Sequence, residues 1–343
     1  MRSAFISSAI ALVASTLLLR GADAQQQLCN GYAELCAKTY DQVSYATTHN
    51  AYAYTPRGAL AANQNNDIPT QLKDGIRAFM LDAYNLPSGG TNDIELCHSY
   101  CSLLDAGPLS AVLGQIKTFM DQNPNEVISI FWENAANLAP ARFQTVYQAA
   151  GMTPYLYTQT AGSTTWPTLA SMISSKKRLL NFVDSGADAS VPWLMAEYDF
   201  IFETPWQITK GSEYPCTVDR PKGEERGMYV MNHFISGQVT VGDQTFDVPQ
   251  SGIVAQTNGQ DLASHANKCT QTFNKIPNFV AVDYYEQGSL LQTVAQLNGV
   301  NWNGKLPTAA PTSNKNTAVG KIGGASSTVV TFAAAAAAAA FAL

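Results

Sequence analysis

The sequence predicts an α/β fold, a closed (β/α) barrel of the TIM type, on three observations. Eight short strand-like runs lie between residues 43 and 283, and most are followed by helical or irregular crossover segments. A sandwich would instead show short, even spacing and hairpin turns. A length of 343 residues accommodates one large barrel or two ordinary domains. Several of the runs also close on His, Asp or Glu, and in a parallel barrel the carboxyl ends of the strands meet at one rim.

The elements follow in chain order. Cys29 to Cys36 reads as a small stapled loop over one end of the fold, ahead of a first strand over 43–49. A connection rich in Ala, Asn and Gln spans 51–66, and 68–73 gives a short helix. The second strand covers 75–84 and the third 94–98, separated by a Pro-Ser-Gly-Gly turn at 87–90. Pro108 opens a helix in which Leu109, Val112, Ile116 and Met120 recur at helical spacing, the mark of one buried face. A strand over 127–132 comes next, then helices over 140–150 and 168–175 that lead into a strand over 178–184. Weaker strands are read at 199–202 and 228–232, and the last strand, 278–283, precedes a helix over 289–297. Chain position puts His233 at the mouth, whereas His265 is expected in a loop.

The two chain ends differ in character from the rest. Residues 1–24 combine Arg2, an apolar run over 4–19 and Ala22-Asp23-Ala24, the pattern of a cleaved secretory signal. That run is shorter than the ~20 apolar residues that span a bilayer. Residues 25–304 are then the barrel, 305–328 a linker rich in Pro, Thr, Ser and Asn, and 329–343 a charge-free apolar tail. A polar spacer before such a tail is the pattern of a glycosylphosphatidylinositol (GPI) anchor signal. A secreted chain held at the outer cell surface is the expectation. The six cysteines suit an oxidising compartment, and proximity suggests Cys29 with Cys36, Cys97 with Cys101 and Cys216 with Cys269, although other pairings are combinatorially open. With 13% charged residues and a net charge of -6, no basic stripe exists to bind nucleic acid.

Strand parity sorts the candidate site residues, because alternate side chains face the barrel interior. Ala78, Met80 and Asp82 share one side of the second strand, and Arg77 the other, where a structural ion pair is its expected role. Ser129, Phe131 and Glu133 share one side of the fourth run, so Glu133 can enter the same mouth as Asp82. His49, His98 and Asp283 each close a run as well. Singly, each is more simply a solvated or hydrogen-bonded strand end; together they converge on one rim. Trp193 and Trp206 are read as core residues ahead of a lipid-inserting rim.

Thr48-His49-Asn50-Ala51-Tyr52, Gly75-Ile76-Arg77 through Leu81-Asp82, Leu96-Cys97-His98-Ser99 and Ile130-Phe131-Trp132-Glu133-Asn134 resemble the phosphatidylinositol-specific phospholipase C X-domain family, in particular its secreted microbial members. Weaker likeness extends to Asn181-Phe182-Val183-Asp184, Glu203-Thr204-Pro205-Trp206, Met231-Asn232-His233-Phe234 and Val282-Asp283-Tyr284. The resemblance implies an irregular TIM barrel and a phosphodiesterase acting on a phospholipid at a membrane surface, with His49 as base, His98 as acid and Asp283 beside His49. The chain is expected to act as a monomer. In-line displacement at phosphorus needs a base and an acid on opposite sides, and imidazole can serve as either near neutral pH. The resemblance also implies that Asn50 and Asp82 bind the phosphate or, with Glu133, a calcium ion. Met80 stands where a further acid is expected, and the position that carries Arg in metal-free members is Asp82. Two alternatives remain at this point: a glycerophosphodiesterase or sphingomyelinase-like enzyme on the same barrel, and a non-catalytic binding protein.

Overall fold

The computed structural model describes residues 27–305 apart from 56–60, 99, 161, 210–213 and 242–243. The expected signal segment and the expected anchor tail both lie outside the described residues. Eight parallel strands form the barrel wall: β1 (Tyr45–Thr48), β2 (Ala78–Tyr84), β5 (Ile128–Glu133), β6 (Leu179–Val183), β7 (Leu194–Ala196), β8 (Ile201–Glu203), β9 (Met228–Asn232) and β12 (Phe279–Val282). Their order is β7-β6-β5-β2-β1-β12-β9-β8. Two antiparallel pairs project from this wall, β3 (Glu95–Cys97) with β4 (Asp105–Pro108), and the hairpin β10 (Ser236–Val241) with β11 (Gln244–Pro249).

The count of eight is right, but its membership needs correction. The run over 94–98 is not a barrel strand: β3 lies antiparallel on the end of β2, with Ala83 opposite Leu96. Its place is taken by the three-residue β7, too short to register as a run. The ring is also open, since no ladder joins β7 to β8 among the described residues. Only α5 (Glu197–Phe200), a single turn, separates them, whereas parallel neighbours need a crossover of about a dozen residues.

The helices α1 (Ile68–Asp74), α2 (Leu109–Gln122), α3 (Pro140–Ala149), α4 (Leu169–Ser174) and α8 (Leu290–Leu297) fall within about a residue of their expected bounds. Asp67 caps α1 by accepting the Thr70 N–H at 3.0 Å, and Gly75 ends it at φ 114°, a left-handed conformation glycine adopts freely. After the short turn α6 (Val254–Gln256) comes α7 (Leu262–Phe273), where a loop was expected around His265. Its buried stripe is Leu262, His265, Ala266, Cys269 and Phe273, correct in spacing but too polar and small-sided to read as apolar.

Parity holds throughout the wall. Tyr45, Ala78, Phe131, Phe182, Val230 and Phe279 pack inside the barrel, while Phe79, Ile130, Trp132, Val183, Met231 and Val280 pack against the helices. Arg77, on the outer side, reaches Glu126 at 2.7 Å and donates to the carbonyls of Leu72 and Ile76 at 2.7 and 2.8 Å. It lines a hollow of about 690 Å³ at the amino end of β1, remote from the predicted site residues. The cysteines pair as proximity suggests, at separations of 7, 4 and 53 residues.

Because Arg77 is committed to this half-buried pair, Arg77→Ala is expected to cost about 2–4 kcal/mol of stability by stranding Glu126. Urea unfolding measures the loss, and turnover per folded molecule should be unchanged.

Candidate active site

At the carboxyl ends of the strands a cleft of about 200 Å³ collects His49, Asn50, Met80, Asp82, His98 and Glu133 from β1, β2, β3 and β5 and the residues after them. Asp283, immediately after β12, is buried beside His49 and accepts from its Nδ1 at 2.8 Å. The arrangement follows from the ladder: Thr48 is paired with Val282, so the next residues of the two strands face each other. Asn50 and Tyr284, one step further on, take left-handed φ values of 44° and 46°, which turn the chain sharply away and leave His49 and Asp283 at the tips. The Gln64 amide donates to both His49 O and Val282 O, at 2.7 and 3.1 Å, tying the strand ends together.

These bonds set the imidazole tautomers. Asp283 Oδ1 accepts from His49 Nδ1–H and also from Asn63 Nδ2 at 3.0 Å, so the His49 lone pair is on Nε2. Phe234 stacks on the His49 ring at 3.7 Å and 4°, which fixes its plane. His98 donates Nδ1–H to the Ala61 carbonyl at 2.6 Å, again leaving Nε2 for chemistry. The Cys97–Cys101 disulfide and a 2.7 Å bond from Tyr52 Oη to Cys97 O hold the backbone beside it. Burial pushes His98 below the ordinary imidazole value. A protonated His98 is therefore disfavoured until a negative charge arrives, a constraint the sequence does not reveal.

Asp82, two residues before the end of β2, and Glu133, the last residue of β5, are direct ladder partners. Burial, and then the charge of Glu133, hold the Asp82 carboxyl well above the usual carboxylate range. Glu133 opens to the cleft water yet is ringed by protein, which raises its carboxyl too, with Arg220 pulling the other way. Two crowded acids plus the Asn50 amide suit a hard cation, which takes oxygen ligands and tolerates mixed coordination. Met80 contributes only a thioether at that wall.

The opposite wall holds residues that strand patterns did not single out. Glu197 in α5, Glu203 at the end of β8, Asn232 at the end of β9 and Arg220 from the 204–220 loop all line the cleft. Arg220 Nη2 bonds Glu203 at 2.8 Å, its guanidinium lies 5.5 Å from the Trp206 ring, and Asn232 Nδ2 donates to the same carboxylate at 2.8 Å. Burial opposes the Arg220 charge, but Glu203 more than restores it. Burial and then the charge of Glu203 raise Glu197 well above the carboxylate range. Glu197 Oε1, Arg220 Nε and Asn232 Oδ1 are buried without partners among the described residues, a cluster of unmet polar atoms. Glu203 and Asn232 carry a family likeness in the sequence; Asn63 and Gln64 are signalled only by the Asn/Gln richness of 51–66, and Glu197 and Arg220 by no sequence pattern.

Two placements are corrected. His233 does not line the mouth: it is fully buried, bonded to Thr257 O and His265, and burial brings it down to about 4. His265 is no loop residue but sits in α7, likewise lowered by burial, to about 3. Trp193 packs on Tyr147 at 4.5 Å in the core, as read, while Trp206 lines the cleft.

An open parallel barrel of this strand order has the fold of the phospholipase C-like phosphodiesterases. The chain belongs to the PI-PLC X domain family, whose model, described as PI-PLC X 1, matches residues 35–298. It is 34% identical over 313 residues to an uncharacterized secreted protein of Arthroderma benhamiae, covering 86% of this chain and 70% of the relative. It is 31% identical over 284 residues to PI-PLC X domain-containing protein 1 of the same organism, covering 81% and 91%. In fold it is similar to the phosphatidylinositol-specific phospholipase C of Listeria monocytogenes, with a TM-score of 0.53 at 17% identity over 78% of this chain and 97% of that one. The three disulfides agree with the oxidising compartment expected of a secreted chain.

The crowded acid pair generates a prediction. Asp82→Asn removes a buried like-charge repulsion and is expected to stabilise the cation-free chain by about 1–3 kcal/mol at neutral pH. A folded-state value raised above the unfolded one means that this strain exists only above the unfolded carboxylate value, so the gain vanishes near pH 4. Calcium should raise the melting temperature of the parent chain and not that of Asp82→Asn.

Proposed function

We propose that this chain is a phosphoric diester hydrolase that cleaves the glycerol-phosphate bond of phosphoinositides through an inositol cyclic phosphate. One observation carries the reading: both imidazoles spend their Nδ1 protons on fixed acceptors, Asp283 and the Ala61 carbonyl, leaving two Nε2 atoms in one cleft. His49 Nε2 takes the proton of the inositol 2-hydroxyl as that oxygen attacks phosphorus. The resulting imidazolium is stabilised by Asp283. His98, protonated at Nε2, gives that proton to the departing diacylglycerol oxygen. Asn50, Asp82 and Glu133 would hold a calcium ion, which when bound supplies positive charge beside the phosphoryl oxygens. The unmet atoms of Glu197, Asn232 and Arg220, next to the Glu203 carboxylate, suit the alternating donors and acceptors of a polyol head group.

Release of water-soluble phosphoinositol from labelled lipid, with and without chelator, tests the reading. His49→Ala and His98→Ala should each lower the rate ~100- to 10,000-fold with the fold intact. A nitrophenol leaving group needs little protonation, so it should partly rescue His98→Ala and not His49→Ala. Equal losses on both substrates would overturn the roles.

The pH profile follows from burial of His98. Its proton is lost as pH rises through a value lowered below about 6.5, so kcat/KM should be bell-shaped with its optimum on the acid side of neutrality. Bound phosphodiester favours the protonated ring, and the alkaline limb of kcat should lie higher than that of kcat/KM. Coincident limbs would count against His98 as the acid.

The uncharged tail over 329–343 supports attachment to the outer surface by a GPI anchor. Deleting it should release the protein into the medium, and unchanged partitioning would refute the anchor.

A further inference from the structure

Asn63 lines the cleft, buried to 2% exposure, and the proposed steps give it no part. Its backbone is fixed from both sides: the N–H donates to the Ala53 carbonyl at 2.8 Å, and the carbonyl accepts the Tyr284 N–H at 2.8 Å. The side chain thus enters a frame set by the chain after β1 and the chain after β12. Asp283 Oδ1 can only accept, and it lies 3.0 Å from Asn63 Nδ2 and 2.8 Å from His49 Nδ1. Two N–H groups converge on one oxygen, and the 3.3 Å contact between their nitrogens, both donors, is no bond of its own. The other end of the Asn63 amide is then its oxygen, which lies 3.4 Å from Asn50 Nδ2. That oxygen also can only accept, so the Asn50 end beside it is the NH2 group and Asn50 Oδ1 is the end left over. One carboxylate fixes in turn the Asn63 amide and the Asn50 amide, as it fixes the His49 tautomer.

We propose that Asn63 is a positioning residue that ties the cation ligand Asn50 to the general base, by setting which end of the Asn50 side chain can meet a cation. This role rests on the proposed functions of Asn50, Asp283 and His49. A hard cation takes oxygen ligands, and an Asn amide presents oxygen on one side and two N–H groups on the other. Turning the amide about its last bond exchanges the two ends with little change of shape, so packing alone does not choose between them. Asn63 Oδ1 does choose, since a flipped Asn50 would set oxygen against oxygen. Asn63 cannot flip in its turn, because its own oxygen would then face Asp283. Asn50 and Asn63 are both buried, which limits the water that could satisfy either end. Asp82 and Glu133 need no such guide, because a carboxylate presents oxygen either way.

The test is a double-mutant cycle on the full chain, with calcium binding followed by calorimetry in the absence of lipid. Asn63→Ala should weaken calcium binding ~10- to 100-fold, the usual cost of removing a ligand's hydrogen-bonded support, and Asn50→Ala at least as much. With Asn50 already replaced, Asn63→Ala should cost nothing further, because the amide it acts through is gone. Losses that add, calcium binding by Asn63→Ala like the parent's, or a parent that binds no calcium would each overturn the proposal. Asn63→Asp keeps the test decisive where Asn63→Ala fails to fold. Its ionised carboxylate still accepts from Asn50 but cannot donate to Asp283, so calcium should bind at least as tightly as in the parent while phosphoinositol release falls. Loss of both together would mark a merely structural residue, and release at the parent's rate would break the tie to the base; either result overturns the proposal. Release by the parent judges the phosphodiesterase reading separately. A parent that shows the calorimetric cycle and releases no phosphoinositol would sink that reading and leave the role of Asn63 standing.

Discussion

The register between β1 and β12 is the constraint on which the site depends. Thr48 opposite Val282 brings His49 opposite Asp283, and a slip of one residue would turn every side chain of either strand to the wrong face. Several devices guard the register: the Gln64 amide across both strand ends, the Asn258 amide on the Asp283 carbonyl at 2.7 Å, and the left-handed turns at Asn50 and Tyr284. The proton position on His49 follows from that geometry. Placement of the imidazole is here a property of strand pairing before it is one of any side chain.

Charge balance is the second determinant. The cleft gathers Asp82, Glu133, Glu197, Glu203 and Asp247 against one guanidinium among the described residues, Arg220. The proposed phosphodiester substrate would bring a further negative charge. Protons on the raised carboxyls or a bound cation would then have to compensate it. Met80 adds no further charge to the wall that bears Asp82 and Glu133.

The residues that were legible in the sequence share one property: they end strands. His49, His98, Asp82, Glu133 and Asp283 each follow a run whose alternation reports which way they face, and a barrel brings such ends together. Glu197 and Arg220 lack that property. Glu197 sits in a four-residue turn, and Arg220 arrives from a loop whose path is set by the Cys216–Cys269 clip and by Glu203, long-range ties that leave no local pattern. Asn63 and Gln64 were visible only as composition. The same logic explains α7, whose buried face is made of small and polar side chains held by tertiary packing, and β7, defined by its neighbour β6 alone.

The interruption between β7 and β8 changes what kind of container this barrel is. A closed ring of eight strands resists widening, because any dilation strains hydrogen bonds around the whole circumference. Here the circumference has a joint at α5 where no strand pair closes the ring, and that joint carries Glu197 at the cleft. Widening there would break no strand pair. The joint lies at the two ends of the strand order, and β1, which leads to His49, is held between β2 and β12.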